Sequence, residues 1–434
     1  MKYHFTPYKG WTNDPNGTVY IDGQYHLFYQ HYPDGLVWGP MHWGHAVSRD
    51  GVNWEHKSIA LYPDELGYIF SGSCYLDVNN DSGLGSLDNP PLIAAYTSHE
   101  IESGIERQSI AYSLDYENFI KYEGNPVIDN SPEDEVNYRK DFRDPKIIAN
   151  KIIGGYTCVL AAGNSICFYH SVDFIHWDKT GEVDFKKYGL VGICECPDLI
   201  CFEDKYVLTC SFVYDESSPY ADPSNNMTHI EPYFVGEFDG LCFKTLDDGL
   251  HNSDSESKYR LIDYGPDNYA TVSFARTSDV QLIGWGENWR YVNDTPVGVS
   301  DASGELYRGK MTLIKSAKLI ETELGGYALS MAPIGVQYSA RYTLNPGEEI
   351  CINNISQENS GTFTIRVTDT EIIVDRSACI PQNASEVLHE SRYQIFKSDR
   401  VYTGSCDINI VEDDQYYEIY ADQGTAVFSV GTKL

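Results

Sequence analysis

A seven-residue pattern recurs three times in the first half of the chain and limits the possible folds more than any other feature. Ser48-Arg49-Asp50-Gly51-Val52-Asn53-Trp54 is echoed by Ser113-Leu114-Asp115-Tyr116-Glu117-Asn118-Phe119 and by Ser171-Val172-Asp173-Phe174-Ile175-His176-Trp177, at offsets of 65 and 58 residues. A period near ~60 residues suits a four-stranded β unit in which Ser-x-Asp opens a turn and the closing aromatic packs against a neighbouring unit. Looser echoes at Gly236-Glu237-Phe238-Asp239-Gly240 and around Ser278-Asp279 bring the count to five units over roughly the first 300 residues. Between them lie runs such as Gln24 to Gln30, Tyr156 to Leu160 and Lys205 to Cys210, rich in β-branched and aromatic residues and bounded by Gly, Asn, Asp and Pro. Long amphipathic helical patterns are missing, so the expected class is all-β.

The predicted architecture is a five-bladed β-propeller over residues 1–310, a linker over 311–330 and a C-terminal β-sandwich over 331–434. Strands recur in that last segment without the blade pattern, at Thr362 to Val367, Glu371 to Val374 and Tyr416 to Tyr420. A chain of 434 residues is long enough for both units.

Lys and Arg number 31 against 64 Asp and Glu, a formal net charge of −33. That charge repels nucleic-acid phosphates and anionic membranes and favours a small neutral ligand, although most of it serves solubility. The 11 cysteines are odd in number, and the nearest set, Cys194, Cys196, Cys201 and Cys210, lacks paired Cys-x-x-Cys spacing. They are expected to be free thiols in a reducing compartment. With the motif already beginning at Trp11 no leader is expected, and no apolar run approaches the ~18 residues of a membrane span. The expected location is the cytoplasm.

Three acids stand in strand-and-turn settings. Asp14 lies in Trp11-Thr12-Asn13-Asp14-Pro15-Asn16-Gly17, where Pro15 and Gly17 are expected to make a turn before the strand Thr18 to Ile21. Asp144 follows Arg139, Lys140 and Arg143, cations that favour its ionised form, and precedes the stiffening Pro145. Glu195 is flanked by Ile193, Cys194, Cys196 and Pro197, a setting that predicts a raised pKa, with strand alternation turning it away from both cysteines. Singly, each also fits a plain role as turn residue, surface ion pair or rim glutamate. Placed on different blades, however, they converge at one channel mouth. Two opposed carboxylates about 5–5.5 Å apart are what a retaining glycosidase needs. Trp38 to His45, Phe70 to Ser73 and Gly284 to Trp289 supply the aromatic faces and hydrogen-bonding groups a sugar requires, although blade packing also accounts for each Trp. His42 and His45 have no evident third partner for a metal.

These boxes resemble those of glycoside hydrolase family 32, the invertases, sucrose-6-phosphate hydrolases, inulinases and levanases. The resemblance rests on Trp11 to Gly17, Phe142-Arg143-Asp144-Pro145 and Glu195-Cys196-Pro197. It extends through Tyr3 to Pro7, Trp38 to His45, Phe70 to Ser73, Asp263 to Ala270 and Asp375-Arg376-Ser377. It implies a propeller followed by a sandwich, Asp14 as nucleophile, Glu195 as acid/base and Asp144 as transition-state stabiliser. It also implies Asn13, Gln30, Trp38, Phe70, Ser71, Arg143 and Trp285 around a fructose unit, with no metal or organic cofactor. The implied activity is release of fructose from terminal β-fructofuranosides, on sucrose or short fructo-oligosaccharides, by double displacement. Sucrose-6-phosphate hydrolysis is the alternative; transfructosylation, an arabinofuranosidase activity and non-catalytic fructan binding are further readings.

The chain departs from the family pattern at three places. Thr12 replaces a usual methionine, which predicts a more polar pocket floor. Met311 to Lys315 lacks the usual Pro-Arg-Glu-Leu. Glu287 adds a charge that, near the leaving group, would disfavour a phosphorylated glucose.

Overall fold

Each copy of the Ser-x-Asp pattern closes a hairpin by the same hydrogen bonds. Asp50 Oδ1 accepts from the N–H groups of Val52 and Asn53 at 2.9 and 2.7 Å, Asp115 Oδ1 from Glu117 and Asn118 at 3.0 and 2.8 Å, and Asp173 Oδ1 from Ile175 and His176 at 2.9 and 2.8 Å. A side chain that accepts from the backbone two and three residues on stabilises a tight turn. The closing aromatics then pack outward onto neighbours. Phe119 meets Phe28 edge-on at 5.4 Å, Trp177 joins a cluster with Ile93 and Ala95, and Trp54 packs with Phe274 and Ile283 near the end of the series.

The computed structural model describes residues 1–133, 138–215, 228–246, 259–355 and 360–434. It is almost entirely β. Five sheets, antiparallel but for one pairing in the first, begin with the strands Gly10–Ile21, Tyr68–Leu76, Phe142–Ala149, Gly192–Phe202 and Tyr269–Ser273. Each of these five strands packs on the next, and the fifth packs back on the first. Side chains bind the series together: Gly72 N–H donates to Asn16 Oδ1 at 3.0 Å, and Ser73 Oγ bridges Pro145 O and Ile147 N–H at 2.8 and 2.9 Å. The strand Leu306–Arg308 pairs in parallel with Gly10 and Trp11, so the first sheet is finished by residues nearly 300 positions later.

The segment expected to be a linker is not one. Lys315–Glu321 and Tyr327–Pro333 are the third and fourth strands of the fifth sheet, with Val280 opposite Ala317. Lys315 hides the alternation, because a lysine reads as an outward residue whereas here it is buried against Glu418 at 3.1 Å.

Two further four-stranded sheets follow. One holds Ala340–Leu344, Cys406–Asp413, Tyr416–Ala421 and Ala426–Gly431; the other holds Glu349–Ile355, Ser360–Val367, Glu371–Asp375 and Ile395–Asp399. Ile408, Ile419 and Phe428 from the first share a core with Phe363, Ile365 and Val374 from the second. This pair is fastened to the five sheets by buried polar contacts. Arg376 Nη1 donates to Asp267 Oδ2 at 2.9 Å, and Ser429 N–H and Oγ donate to Asp263 at 2.8 and 2.6 Å. Gly265 lies so close to Ser429 O that a Cβ there would sit 2.3 Å from it. All eleven cysteines are free, and among the described residues no helix is long and apolar enough to cross a membrane.

Candidate active site

Asp14 does not sit in a turn. The strand Gly10–Ile21 runs straight through it, and Pro15 and Gly17 are absorbed by two irregularities in pairing, between Thr12 and Pro15 and between Asn16 and Val19. Such bulges re-aim side chains at strand ends. The Asp14 carboxylate accepts from Ser71 Oγ at 2.6 Å, Asn13 Nδ2 at 3.0 Å and the Cys196 thiol at 3.4 Å. Asn13 presents its NH2 group because its carbonyl is taken by Trp11 Nε1–H at 2.7 Å. Burial pushes the Asp14 carboxyl above its usual range, the Ser71 and Asn13 donors oppose that rise, and the charge of Glu195 adds to it.

Asp144 lies on the Phe142–Ala149 strand in the left-handed region, φ 65°, where the pairing slips opposite Val159 and Ala161. Its N–H donates to Thr97 Oγ1 at 2.9 Å and its Oδ2 accepts the Cys196 N–H at 2.8 Å. The cations nearby were expected to keep it ionised. The structure reverses the sign: burial, followed by the charges of Asp14 and Glu195, outweighs Arg143 and lifts Asp144 to about 8.

The surroundings of Glu195 are also not those its sequence neighbours suggest. Its Oε1 accepts from Arg143 Nη2 at 2.9 Å and its Oε2 from the Tyr269 hydroxyl at 2.5 Å. Both partners come from other strands. Alternation fails beside it as well, since Cys196 has φ 45° and a pairing slip follows Glu195, which brings the Cys196 thiol to the same cluster. The far end of Arg143 is held by Glu106 at 3.2 Å and Asp141 at 3.0 Å. Glu106 in turn meets His99 Nδ1 at 3.2 Å, His99 stacks on Phe70 with centroids 4.2 Å apart, and Phe70 lies edge-on to Trp38 at 5.9 Å. Trp38 is 44% exposed, an aromatic face open to solvent beside the carboxyl cluster.

Beneath the acids the strands are tied by a buried charge. Lys146 Nζ contacts Asp198 Oδ2 at 3.0 Å and Ser273 O at 2.6 Å, while Thr18 Oγ1 donates to that same carbonyl at 2.7 Å.

Of the expected substrate-lining residues, Asn13, Ser71, Phe70, Trp38 and Arg143 join this assembly directly. Gln30 and Trp285 are both buried, and the indole N–H of Trp285 has no hydrogen-bond partner among the described residues. Gln30 is buried and donates to Ile69 O at 3.0 Å, and Trp285 is fully buried between Trp11 and Trp289, at 6.0 and 4.7 Å. Thr12 spends its hydroxyl on Gln30 O at 3.0 Å and so adds no polar group to the pocket floor. Glu287 pairs with Lys310 at 2.5 Å, in a cleft also lined by Tyr416 of the C-terminal sheets and by Lys433 beyond the last strand. Its charge is thus met by a cation. His42 bonds Pro40 O and His45 bonds His26, so the two rings point to different partners. Among the described residues no group of three His, Cys, Asp or Glu could hold a metal.

Sequence reasoning missed Tyr269, Cys196, His99 and Glu106 as parts of the site. The first two lie within the boxes Asp263 to Ala270 and Glu195-Cys196-Pro197. Glu106 and His99 sit on plain strands with no local signal.

A family model described as the glycosyl hydrolases family 32 N-terminal domain matches residues 4–333. A levanase from Bacillus subtilis (strain 168) is 43% identical over 307 residues, covering 68% of this chain and 42% of the levanase. An invertase from Schizosaccharomyces pombe is 38% identical over 342 residues, covering 73% of this chain and 52% of the invertase. The chain thus spans about half the length of these curated relatives. The crystal structure of an exo-inulinase from Aspergillus awamori superposes with a TM-score of 0.82 at 27% identity, over 99% of this chain and 92% of the inulinase chain.

Proposed function

The chain belongs to glycoside hydrolase family 32, and from that premise we propose that it is a retaining β-fructofuranosidase that removes terminal fructose from sucrose and short fructo-oligosaccharides. The observation that carries the reading is the unequal treatment of two neighbouring carboxyls. Asp14 is surrounded by neutral donors, Ser71, Asn13 and the Cys196 thiol, which leave a carboxylate free to attack carbon. Glu195 is held by a cation and a phenol, groups that suit an acid that must alternate between protonated and ionised forms. In the proposed first step Glu195 protonates the departing oxygen while Asp14 attacks the anomeric carbon. Water then releases fructose with Glu195 as base. Asp144, buried and neutral at pH 7 by its raised pKa of about 8, is suited to hydrogen-bonding sugar hydroxyls.

The five sheets are read as blades of a propeller, supported by the contacts of their first strands, and the last two sheets as a sandwich, supported by their shared core. A neutral sugar is favoured over a phosphorylated one because Arg143 is already committed to Glu195, Glu106 and Asp141. The test is a product profile on sucrose, sucrose 6-phosphate, kestose, inulin and levan, with the anomer of the first-released fructose followed by NMR. Release of β-fructose, lost in Asp14→Asn, is expected. No fructose from any of the five would sink the proposal, and a preference beyond about tenfold for the phosphorylated sugar would reassign the substrate.

A further inference from the structure

The two oxygens of the Glu195 carboxylate have partners of different chemical kind. Oε1 faces Arg143 Nη2 at 2.9 Å. A guanidinium only donates and keeps its charge, so it offers no lone pair to a proton on Oε1. Nor is it free to turn aside, because Glu106 and Asp141 hold its other end at 3.2 and 3.0 Å. Oε2 faces the Tyr269 hydroxyl at 2.5 Å, and a phenol both donates and accepts. The Tyr269 ring is buried in a cluster with Trp11, Val272 and Trp285 and lies edge-on to His229 at 5.4 Å, which fixes where its oxygen sits.

We propose that Tyr269 is a positioning residue that assigns the transferable proton of the acid/base to Glu195 Oε2. When Oε2 is ionised the phenol donates to it; when Oε2 carries the proton, the phenol oxygen accepts until a substrate oxygen takes its place. In the first half-reaction the Oε2 proton passes to the glycosidic oxygen as the bond from that oxygen to the fructosyl C2 breaks and Asp14 bonds to C2. The electron pair left on Oε2 is met by the Tyr269 O–H. In the second half, water gives a proton to Oε2 as its oxygen bonds to C2 and Asp14 departs. The phenol keeps its own proton throughout, since burial together with the charge of Glu195 holds its pKa well above the usual value.

This inference rests on the proposed role of Glu195, and the experiment separates the two. In the full chain, Tyr269→Phe is compared with the unmodified protein on sucrose and on an aryl β-fructofuranoside whose leaving group needs no proton. Expected is a fall in kcat/KM on sucrose of roughly tenfold to a hundredfold, a fall on the aryl substrate of no more than about threefold, and an alkaline limb on sucrose displaced to higher pH. Replacing Tyr269 with 3-fluorotyrosine keeps the ring and strengthens the donor, and should displace that limb to lower pH. Equal losses on both substrates with an unmoved limb, or no displacement with fluorotyrosine, would show a merely structural tyrosine and overturn the proposal. If the unmodified chain hydrolyses neither substrate, or Glu195→Gln matches it on sucrose, the role of Glu195 fails first and this inference with it.

Discussion

The Ser71 hydroxyl donates to Asp14 Oδ2 at 2.6 Å, the closest of the three donors around that carboxylate. A donor to the ionised form holds a carboxyl pKa down, here against burial and the charge of Glu195. Ser71→Ala removes it without adding bulk. In its proposed role as nucleophile Asp14 must be ionised to attack, so the acidic limb of the kcat/KM profile should move to higher pH, with a loss of roughly tenfold at pH 5 and less at pH 7. An unmoved acidic limb would mean that Asp14 does not govern it.

Asp144 gives the opposite kind of pH effect. Its folded pKa of about 8 lies above the ordinary carboxyl value, so the folded chain keeps a proton that the unfolded chain has lost. Stability linked to this group is therefore fully present below about pH 4 and declines as pH rises toward 8. Asp144→Asn copies the neutral state and should flatten that decline, with a higher Tm than the unmodified chain at pH 8 and no gain at pH 4. With Asp144 in its proposed role as the partner of the sugar hydroxyls, activity should fall by about 10²–10³. Thermal unfolding at the two pH values, alongside turnover, checks both parts.

The three acids stand out because each has a proline one or two residues on that marks an irregular strand, and the Ser-x-Asp turns are legible because their hydrogen bonds are local. What surrounds Glu195 was not. Arg143 and Tyr269 lie 52 and 74 positions away and reach it only through the packing of separate first strands. The strand Lys315–Glu321 was hidden for a related reason, since its opening lysine is buried by Glu418 from the C-terminal sheets. Local sequence thus specified the Ser-x-Asp turns, while the turn expected at Asp14 is a strand. The electrostatics, which depend on contacts between distant strands, inverted the expectation for Asp144 and changed the setting of Glu195.

Trp38 tests the open side of the site. Its ring is 44% exposed and meets Phe70 edge-on, and the acids do not depend on it for hydrogen bonds. Trp38→Ala should raise KM for sucrose and kestose by roughly tenfold through lost stacking, and leave kcat within about threefold. A large fall in kcat with KM unchanged would place the ring against the reacting fructose instead.

Arg376 couples the C-terminal sheets to the strand that carries Tyr269. It is fully buried, donates to Asp267 Oδ2 at 2.9 Å and to the Tyr291 hydroxyl at 2.9 Å, and Tyr291 donates to Asp267 Oδ1 at 2.6 Å. Asp267 also accepts the Gly431 N–H at 2.7 Å, so one carboxylate ties the turn before Tyr269 to the last strand of the chain. Arg376→Leu leaves that carboxylate buried without its cation, and breaking a buried pair from one side costs about 3–5 kcal/mol. Asp267→Asn in the same background removes the stranded charge and should recover part of the loss, a non-additivity that a double-mutant cycle in urea measures directly. Because Asp267 is two residues from Tyr269, the single variant should also lower sucrose turnover under conditions where it remains folded, and the double variant should restore turnover in step with stability. If the two losses simply add, the ion pair is not what joins the sheets, and the fastening rests on Asp263 and Ser429 instead.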